Sequence, residues 1–290
     1  MRIVARRKSI ALKTVNNYVH FVTARVKDSR YIKERFQPDW SGILSVDGKY
    51  VKVYDRMGKK TFNYCWICGI DYPTKDLPHY LLHDEEGKID LVIYFKRLKE
   101  LGYPLKVLIS DDNHEIVAAA KFVYGETFVF QLCVKHYLEK ITRWIYPAKA
   151  DPLIEQIRRI ILALDLNQAN QALSYLSVHR YDLVKTKVQR QIYLDFKGHV
   201  KYLTTYLKYP EHIPRTNNEI ENLFRQLNLR LKTIGRFYHW QYAANFLSAW
   251  ALMRRFTPFT DCRKPNRKRN GHAPLELAGC QIKNIDYLNL

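Results

Sequence analysis

The chain is short of cysteine, of long apolar runs and of acids. Its five cysteines are odd in number and irregularly spaced, so no disulfide framework is expected and reduced thiols in a cytosol-like compartment are. The longest apolar stretches, such as ANFLSAWALM, are far too short to cross a bilayer. The basic start MRIVARRKSI is followed by no apolar run, so no secretory leader is expected. No internal repeat occurs. Asp and Glu number 28 against 48 Lys and Arg, leaving a net charge of +20. With 47% hydrophobic and 13% aromatic residues, the chain can bury a core and is no disordered polycation. Its 290 residues suit one large domain, or one with a sizeable insertion. The charge calls for a polyanion, which means nucleic acid; no basic amphipathic anchor suggests a membrane.

Residues 9–27, SIALKTVNNYVHFVTARVK, space Val15, Val19, Val22 and Val26 as a helix does. This is either the second helix of a helix-turn-helix or a lone packing helix. SGILSVDGKYVKVY (41–54), KTFNYCWICGIDYPT and LPHYLLHDEE read as three antiparallel strands, the first ending or bending around Asp47-Gly48. IDLVIYFKRLKELGYP is an amphipathic helix stopped by Gly102 and Pro104. LKVLIS (105–110) has the continuous apolar character of a buried parallel strand and ends at Asp111-Asp112. A helix, a strand (TFVFQLC) and another helix follow. The order β-β-β-α-β-α-β-α implies a mixed α/β sheet. Residues 151–207 look wholly helical. DCRKPNRKRNGHAP, basic and without periodicity, reads as a mobile arm or linker.

Asp47 and Asp111 belong to strands that such a topology can make neighbours, and ligands gather at strand ends in α/β proteins. A third acid comes from RTNNEIENLFRQLNLRLKTIGRF (215–237). At about 100° per residue, Ile220, Leu223, Phe224, Leu227, Leu231 and Ile234 form its buried stripe. Glu219 and Glu221 flank that stripe on opposite sides, and Thr216, Asn217 or Asn218 can cap the start. Either Glu suits the positive end of the helix dipole, and helical geometry alone does not choose between them. Carboxylates brought within a few ångströms must take protons or bind cations. Oxygen-rich sites favour Mg²⁺ or Mn²⁺, and a pair of such ions serves phosphoryl transfer.

In this order and spacing the segments ILSVDGKYVKV, LISDDNHEIVAAA, QLCVKHYLEKI, RTNNEIENLFRQLNLRLKTIGRF and NGHAPLELAG resemble the DDE transposases of the ribonuclease-H-like superfamily. The likeness is to prokaryotic insertion-sequence enzymes near the Mutator-like group, over about residues 40–280. The intervals between the acids are 64 residues (47 to 111) and 110 residues (111 to 221), the second long enough for a helical insertion. The resemblance implies a catalytic and metal-binding triad of Asp47, Asp111 and Glu221, with two Mg²⁺ or Mn²⁺ ions. It selects Glu221 through the pattern Asn-x-x-Glu counted from Asn218, and leaves Glu219 to balance the dipole. Cys133 and His136, in a Cys-x-x-His signature, would buttress the site or touch DNA. A four-ligand zinc site joining them to Cys65 and Cys68 is disfavoured, because strand residues three apart face opposite ways.

The fold so implied is a ribonuclease-H-like mixed sheet flanked by helices, with an all-α insertion before the last catalytic helix. Expected segments are 1–40, helical and containing any partial helix-turn-helix; 41–150, the first part of the core; 151–207, the insertion; 208–257, the rest of the core; and 258–290, a basic arm and tail. DNA contacts are expected from Arg225, Arg230, Lys232 and Arg236, and from Arg263, Lys264, Arg267, Lys268 and Arg269. The implied activity is metal-dependent cleavage and strand transfer of an insertion element. Its partners would be double-stranded DNA, both element ends and target, and further copies of the chain in a dimer or larger assembly. A cytoplasmic, nucleoid-associated location follows. Rival readings are a DNA-binding descendant without catalysis and a nuclease that cuts without joining.

Overall fold

The computed structural model describes residues 2–54, 60–145, 151–209, 213–283, 285–287 and 290. Three helices come first: α1 (Arg2–Lys8), α2 (Leu12–Thr23) and α3 (Ser29–Phe36). The sheet contains β1 (Ile43–Tyr54), β2 (Thr61–Asp71), β3 (Tyr80–His83), β4 (Val107–Ser110) and β5 (Val129–Leu132). Helices α4 (Lys88–Glu100), α5 (His114–Tyr124) and α6 (Val134–Ile145) are interleaved with the later strands. Four more, α7 (Pro152–Ile161), α8 (Leu166–Val178), α9 (Arg180–Leu183) and α10 (Lys187–Leu203), precede α11 (Asn218–Ile234) and α12 (Trp240–Phe256). A short α13 (Pro274–Leu277) lies near the end.

The strand order is β3-β2-β1-β4-β5. β1, β2 and β3 are antiparallel neighbours, whereas β4 runs parallel to both β1 and β5. This is a mixed α/β sheet flanked by helices, as the order of elements implied. The parallel pairs need helical crossovers, which α4 and α5 provide. Gly102 ends the first crossover helix's turn in the left-handed region, at φ +76°, where a side chain would strain the backbone.

Strand alternation sorts the core into two layers. On one face Leu44, Val46, Cys65 and Ile67 pack against Leu91, Tyr94, Phe95 and Leu98 of α4 and Ile116, Ala119 and Ala120 of α5. On the other, Val51, Val53, Trp66, Cys68 and Ile70 meet Ile220, Leu223, Phe224 and Leu227 of α11 and Leu247 and Trp250 of α12. Cys65 and Cys68 therefore lie on opposite faces, and no joint zinc site forms from them. Helices α6, α7, α8 and α10 share a separate core around Ile157, Ile160, Ile192 and Phe196.

Two local expectations differ from the structure. β1 does not end or bend at Asp47-Gly48: both residues continue the ladder, opposite Cys68 and Ile67. Its parallel partner β4 covers only Ile43–Ser45, so Asp47 lies mid-strand but beyond the shared end. The segment around 261–274 is no loose arm. It closes on itself through Phe259 N–H to His272 O (3.0 Å), Gly271 N–H to Phe259 O (2.8 Å) and a two-way bond between Asn270 and Cys262. Beyond it, Leu275, Cys280 and Ile282 pack on Ile32, Leu252 and Phe256. The helix read from residue 9 is α2, preceded by the short α1. It docks on α12, where His20 stacks on Tyr242 at 3.8 Å.

One buried ion pair ties these parts together. Arg255 of α12 donates two hydrogen bonds of 2.8 Å to Asp76, in the loop after β2, and Trp40 Nε1–H donates a third at 2.8 Å. Both charged groups are almost fully buried. Removing one partner strands the other without water, a loss of about 3–5 kcal/mol. Arg255→Ala should cost about that much in urea-unfolding stability. An Asp76→Ala/Arg255→Ala double variant should lose clearly less than the sum of the two single losses. Additive losses would show that the pair is not coupled.

Candidate active site

Residue parity sets the site. Val51 and Val53, odd-numbered residues of β1, face α11, and Asp47 has the same parity. In the adjacent parallel strand Val107 and Ile109 cluster with Ile43 and Ile213 on that side. Ser45 pairs with Ile109, so two further residues along each strand lead to Asp47 and Asp111. Both acids thus leave the sheet at one end and on one face.

Glu221 comes to the same place because the start of α11 is fastened there. Asn217 holds the N-cap position but makes no side-chain cap. Its Nδ2–H instead donates to Val46 O at 3.3 Å, and its backbone N–H donates to Cys133 Sγ at 3.3 Å. Asn217 is fully buried. Glu221, one turn on, faces α6: Lys135 Nζ bonds its Oε2, and His136 Nε2 lies 3.4 Å from its Oε1. Glu219 turns the other way, onto the Lys75 ammonium at 2.7 Å. That lysine side chain is almost buried, and burial pulls its pKa down to about 8 even with Glu219 beside it. Glu219 is thus the counter-ion of a buried lysine as well as a first-turn acid.

The electrostatics report the crowding. Burial first, and then the Asp111 charge, push Asp47 up to about 7; Glu221 adds to this, while the Gly48 N–H and His136 oppose it. Asp111 is also raised, mainly by burial, with His136 opposing. His136 is raised to about 9, by Cys133 first and by Glu221 and Asp47 after it. The imidazole therefore stands where Glu221 and Asp47 both favour its charged form. Cys133, His136 and Glu221 place ligand-type atoms within 4.8 Å of one another. The Cys-x-x-His pair thus lies against Glu221.

Sequence reasoning missed three participants. Asn217 reads as a cap candidate, not a tether. Lys135 carries no signal beyond its charge. Glu86 follows β3 in an acid-rich loop, and nothing in HDEEGK separates it from its neighbours. Its pKa is raised to about 8, by burial and then by Asp47 and Asp111. Gly48 makes room for it: a Cβ there would meet Glu86 Oε2 at 2.7 Å and Cys65 Sγ at 2.6 Å.

The expected DNA-contacting side chains of Arg225, Arg230, Lys232 and Arg236 are exposed along and just past α11, and Arg236 also lies over the Tyr54 ring. Arg263, Lys264, Arg267 and Lys268 are exposed on the closed loop, with Arg269 half-buried. They form a second basic surface, separate in the chain from α11.

A family model described as "Transposase, Mutator family" matches residues 19–252. No curated protein matches. Among solved structures, the HTLV-2 integrase catalytic core domain in complex with magnesium (dimeric form) is similar at 18% identity and a TM-score of 0.27. That match covers 48% of this chain and 86% of the other.

Asp47 makes a pH test available. The folded chain keeps the Asp47 proton to about pH 7, whereas an unfolded aspartate releases it near 3.8. A raised carboxyl pKa favours folding where the proton is held, so this group's contribution falls as pH rises across that interval. Asp47→Asn should therefore stabilise the protein in EDTA. The gain should be larger at pH 8 than at pH 5 by on the order of 2 kcal/mol. Urea unfolding at the two pH values measures it, and a pH-independent or negative effect would contradict the crowding of the acids.

Proposed function

The chain belongs to the Mutator family of transposases, and we propose that it cleaves DNA at the ends of a mobile element and joins the freed ends to target DNA. The observation that carries this reading is the placing of Asp47 and Asp111 at one end and on one face of the sheet beside Glu221, where the charges of Asp111 and Glu221 both act on the buried Asp47 carboxyl. A cluster of carboxylates in a chain of charge +20 is costly unless cations neutralise it.

The donor set fits hard divalent cations, since all three side chains offer oxygen. Asp47, Asp111 and Glu221 would hold two Mg²⁺ or Mn²⁺ ions. Bound there, such ions supply charge stabilisation at the reacting phosphate and a more acidic nucleophile. The protein's own groups do the rest. Lys135 and His136 hold Glu221 in place, and Asn217 holds α11 against β1. Arg225, Arg230, Lys232 and Arg236 on one surface, and Arg263, Lys264, Arg267, Lys268 and Arg269 on the other, bind the phosphate backbone. Water attacks a phosphodiester at the element end, and the released 3′-hydroxyl then attacks a target phosphodiester. Joining needs two ends, so the working form is a homodimer or larger assembly on DNA. No described helix is long and apolar enough to cross a membrane, and a nucleoid-associated location accords with the substrate.

Paired assays on a duplex carrying the element end test this reading. Asp47→Ala should abolish nicking in Mg²⁺ or Mn²⁺, while gel-shift affinity in EDTA persists or tightens slightly, because an acid near the phosphate path is gone. Nicking by this variant at the wild-type rate would remove Asp47 from the site. Wild-type products that are cut but never joined would identify a nuclease, and good binding without any nicking a non-catalytic binder.

The two basic surfaces predict a separate result. Neutralising Arg263, Lys264, Arg267, Lys268 and Arg269 together should weaken binding on every sequence. It should also flatten the log K against log salt slope by up to about 0.9 for each phosphate that the protein no longer neutralises. A weakening confined to one DNA sequence would instead mark base readout.

A further inference from the structure

Beside the carboxylate cluster lies a second group of ligand atoms, of different chemistry. Asp112 is in the turn after β4, His114 opens α5, and His199 lies on α10. Asp112 Oδ1 is 3.2 Å from His199 Nε2 and 4.0 Å from His114 Nε2. The three ligand atoms all fall within 4.8 Å of one another. The other oxygen, Oδ2, is taken by Lys140 Nζ at 2.6 Å, and the same ammonium bonds Asp195 Oδ1 at 3.0 Å.

The tautomer of His199 makes this arrangement informative. Its Nδ1 lies 2.7 Å from the backbone carbonyl of Asp195. A carbonyl only accepts, so Nδ1 carries the proton. In the neutral ring Nε2 is then a lone pair, aimed at a carboxylate oxygen 3.2 Å away. Two acceptors do not face each other at that distance without a cation between them. A proton on Nε2 is one solution, but it gives His114 no part. The two imidazoles are near-parallel, with centroids 6.2 Å apart and 27° between planes. With neutral rings, Asp112, Asp195 and Lys140 sum to a single negative charge, which a dication can enter.

We propose that Asp112, His114 and His199 form a site for a borderline divalent metal of the Zn²⁺ or Co²⁺ class. Two imidazole nitrogens and one carboxylate oxygen select such ions over Mg²⁺. Three protein ligands leave a fourth position for water. The Nδ1–H bond to the Asp195 carbonyl orients the imidazole as a metal-bound histidine requires. Asp112 and His114 line an open cleft of about 660 Å³ that also takes in Asp111, so an ion can enter from solvent. Once bound, it clips α10 to the turn that carries Asp111. The helical segment and one member of the carboxylate cluster would then be held in register by a metal that is not the one serving phosphate chemistry.

The test uses the full chain, stripped with EDTA and titrated with Co²⁺ in the presence of excess Mg²⁺. One Co²⁺ should bind with a visible d–d spectrum and no thiolate charge-transfer band, and Zn²⁺ should displace it. His199→Ala should weaken Zn²⁺ binding by at least tenfold, and His114→Ala, which alters an exposed side chain, by about tenfold. Cys133→Ser should leave both spectrum and affinity unchanged, separating this site from Cys133, His136 and Glu221. Zn²⁺ should also raise the wild-type melting temperature more than that of either histidine variant. Wild-type affinity in both histidine variants would overturn the proposal. So would an absence of Co²⁺ binding over Mg²⁺, leaving the Asp112–His199 contact a protonated ion pair. None of these readouts involves DNA, so failure here leaves the proposed strand chemistry untouched, and the reverse holds too.

Discussion

The docking of the start of α11 on β1 is the contact on which the candidate site depends. Two hydrogen bonds from Asn217, one to Val46 O and one to Cys133 Sγ, join the helix to the first strand and to the end of the last. Such bonds are worth only about 1 kcal/mol each. The larger stabilisation comes from Ile220, Leu223, Phe224 and Leu227, all buried against the sheet, at about 1.5–3 kcal/mol per side chain. Apolar burial holds the helix on the sheet, and Asn217 sets its registration. A helix turns 100° per residue, so a one-residue slip would exchange the surroundings of Glu221 for those of a neighbour. The diverted cap shows which demand prevails: Asn217 forgoes bonding its own helix in order to bond the strand.

The site works against the stability of the apo protein. Asp47, Asp111 and Glu86 all have raised pKa values, with burial the first cause of each. Like charges in a low-dielectric pocket repel, and proteins retain such clusters where function demands them. The fold offsets the strain with cations supplied by one helix, since His136 and Lys135 of α6 both address Glu221. Elsewhere buried charges find counter-ions, as Asp76 does in Arg255 and Lys75 in Glu219. The contrast between such pairs and one crowded set of acids marks out the candidate site.

The turn after β4 serves two neighbours at once. Asp111 belongs with the acids on the α11 side of the sheet, while Asp112 bonds Lys140 and approaches His199. Adjacent carboxylates thus address different elements, the core on one side and α10 on the other. Through this turn the helices between α6 and α11 gain a polar link to the site in addition to their own apolar core. Glu86 provides a comparable link from the far side, over the glycine that follows Asp47.

What the sequence determined by itself is local. The apolar stripe of residues 218–234, the continuous apolar run of β4 and the alternation that sets Cys65 and Cys68 on opposite faces follow from periods of 3.6 and 2. The same local logic could not choose between Glu219 and Glu221, because both flank the stripe and both suit a helix start; only the resemblance to a family did so. Tertiary structure turned Glu219 to Lys75 and Glu221 to His136, since those partners come from loops and helices far away in the chain. Asp47 reads as lying within its strand or at its end, because aspartate before glycine is also a turn pair. It lies mid-strand because pairing with β2 outlasts pairing with β4. The basic segment after α12 reads as loose because charge and proline lack periodicity, and the side chain of Asn270 and the backbone bonds of Phe259 close it. Glu86 had no signature at all, and Asn217 only that of a helix cap. Their roles arise from register between strands and from crossover packing, and those are decided only when distant segments meet.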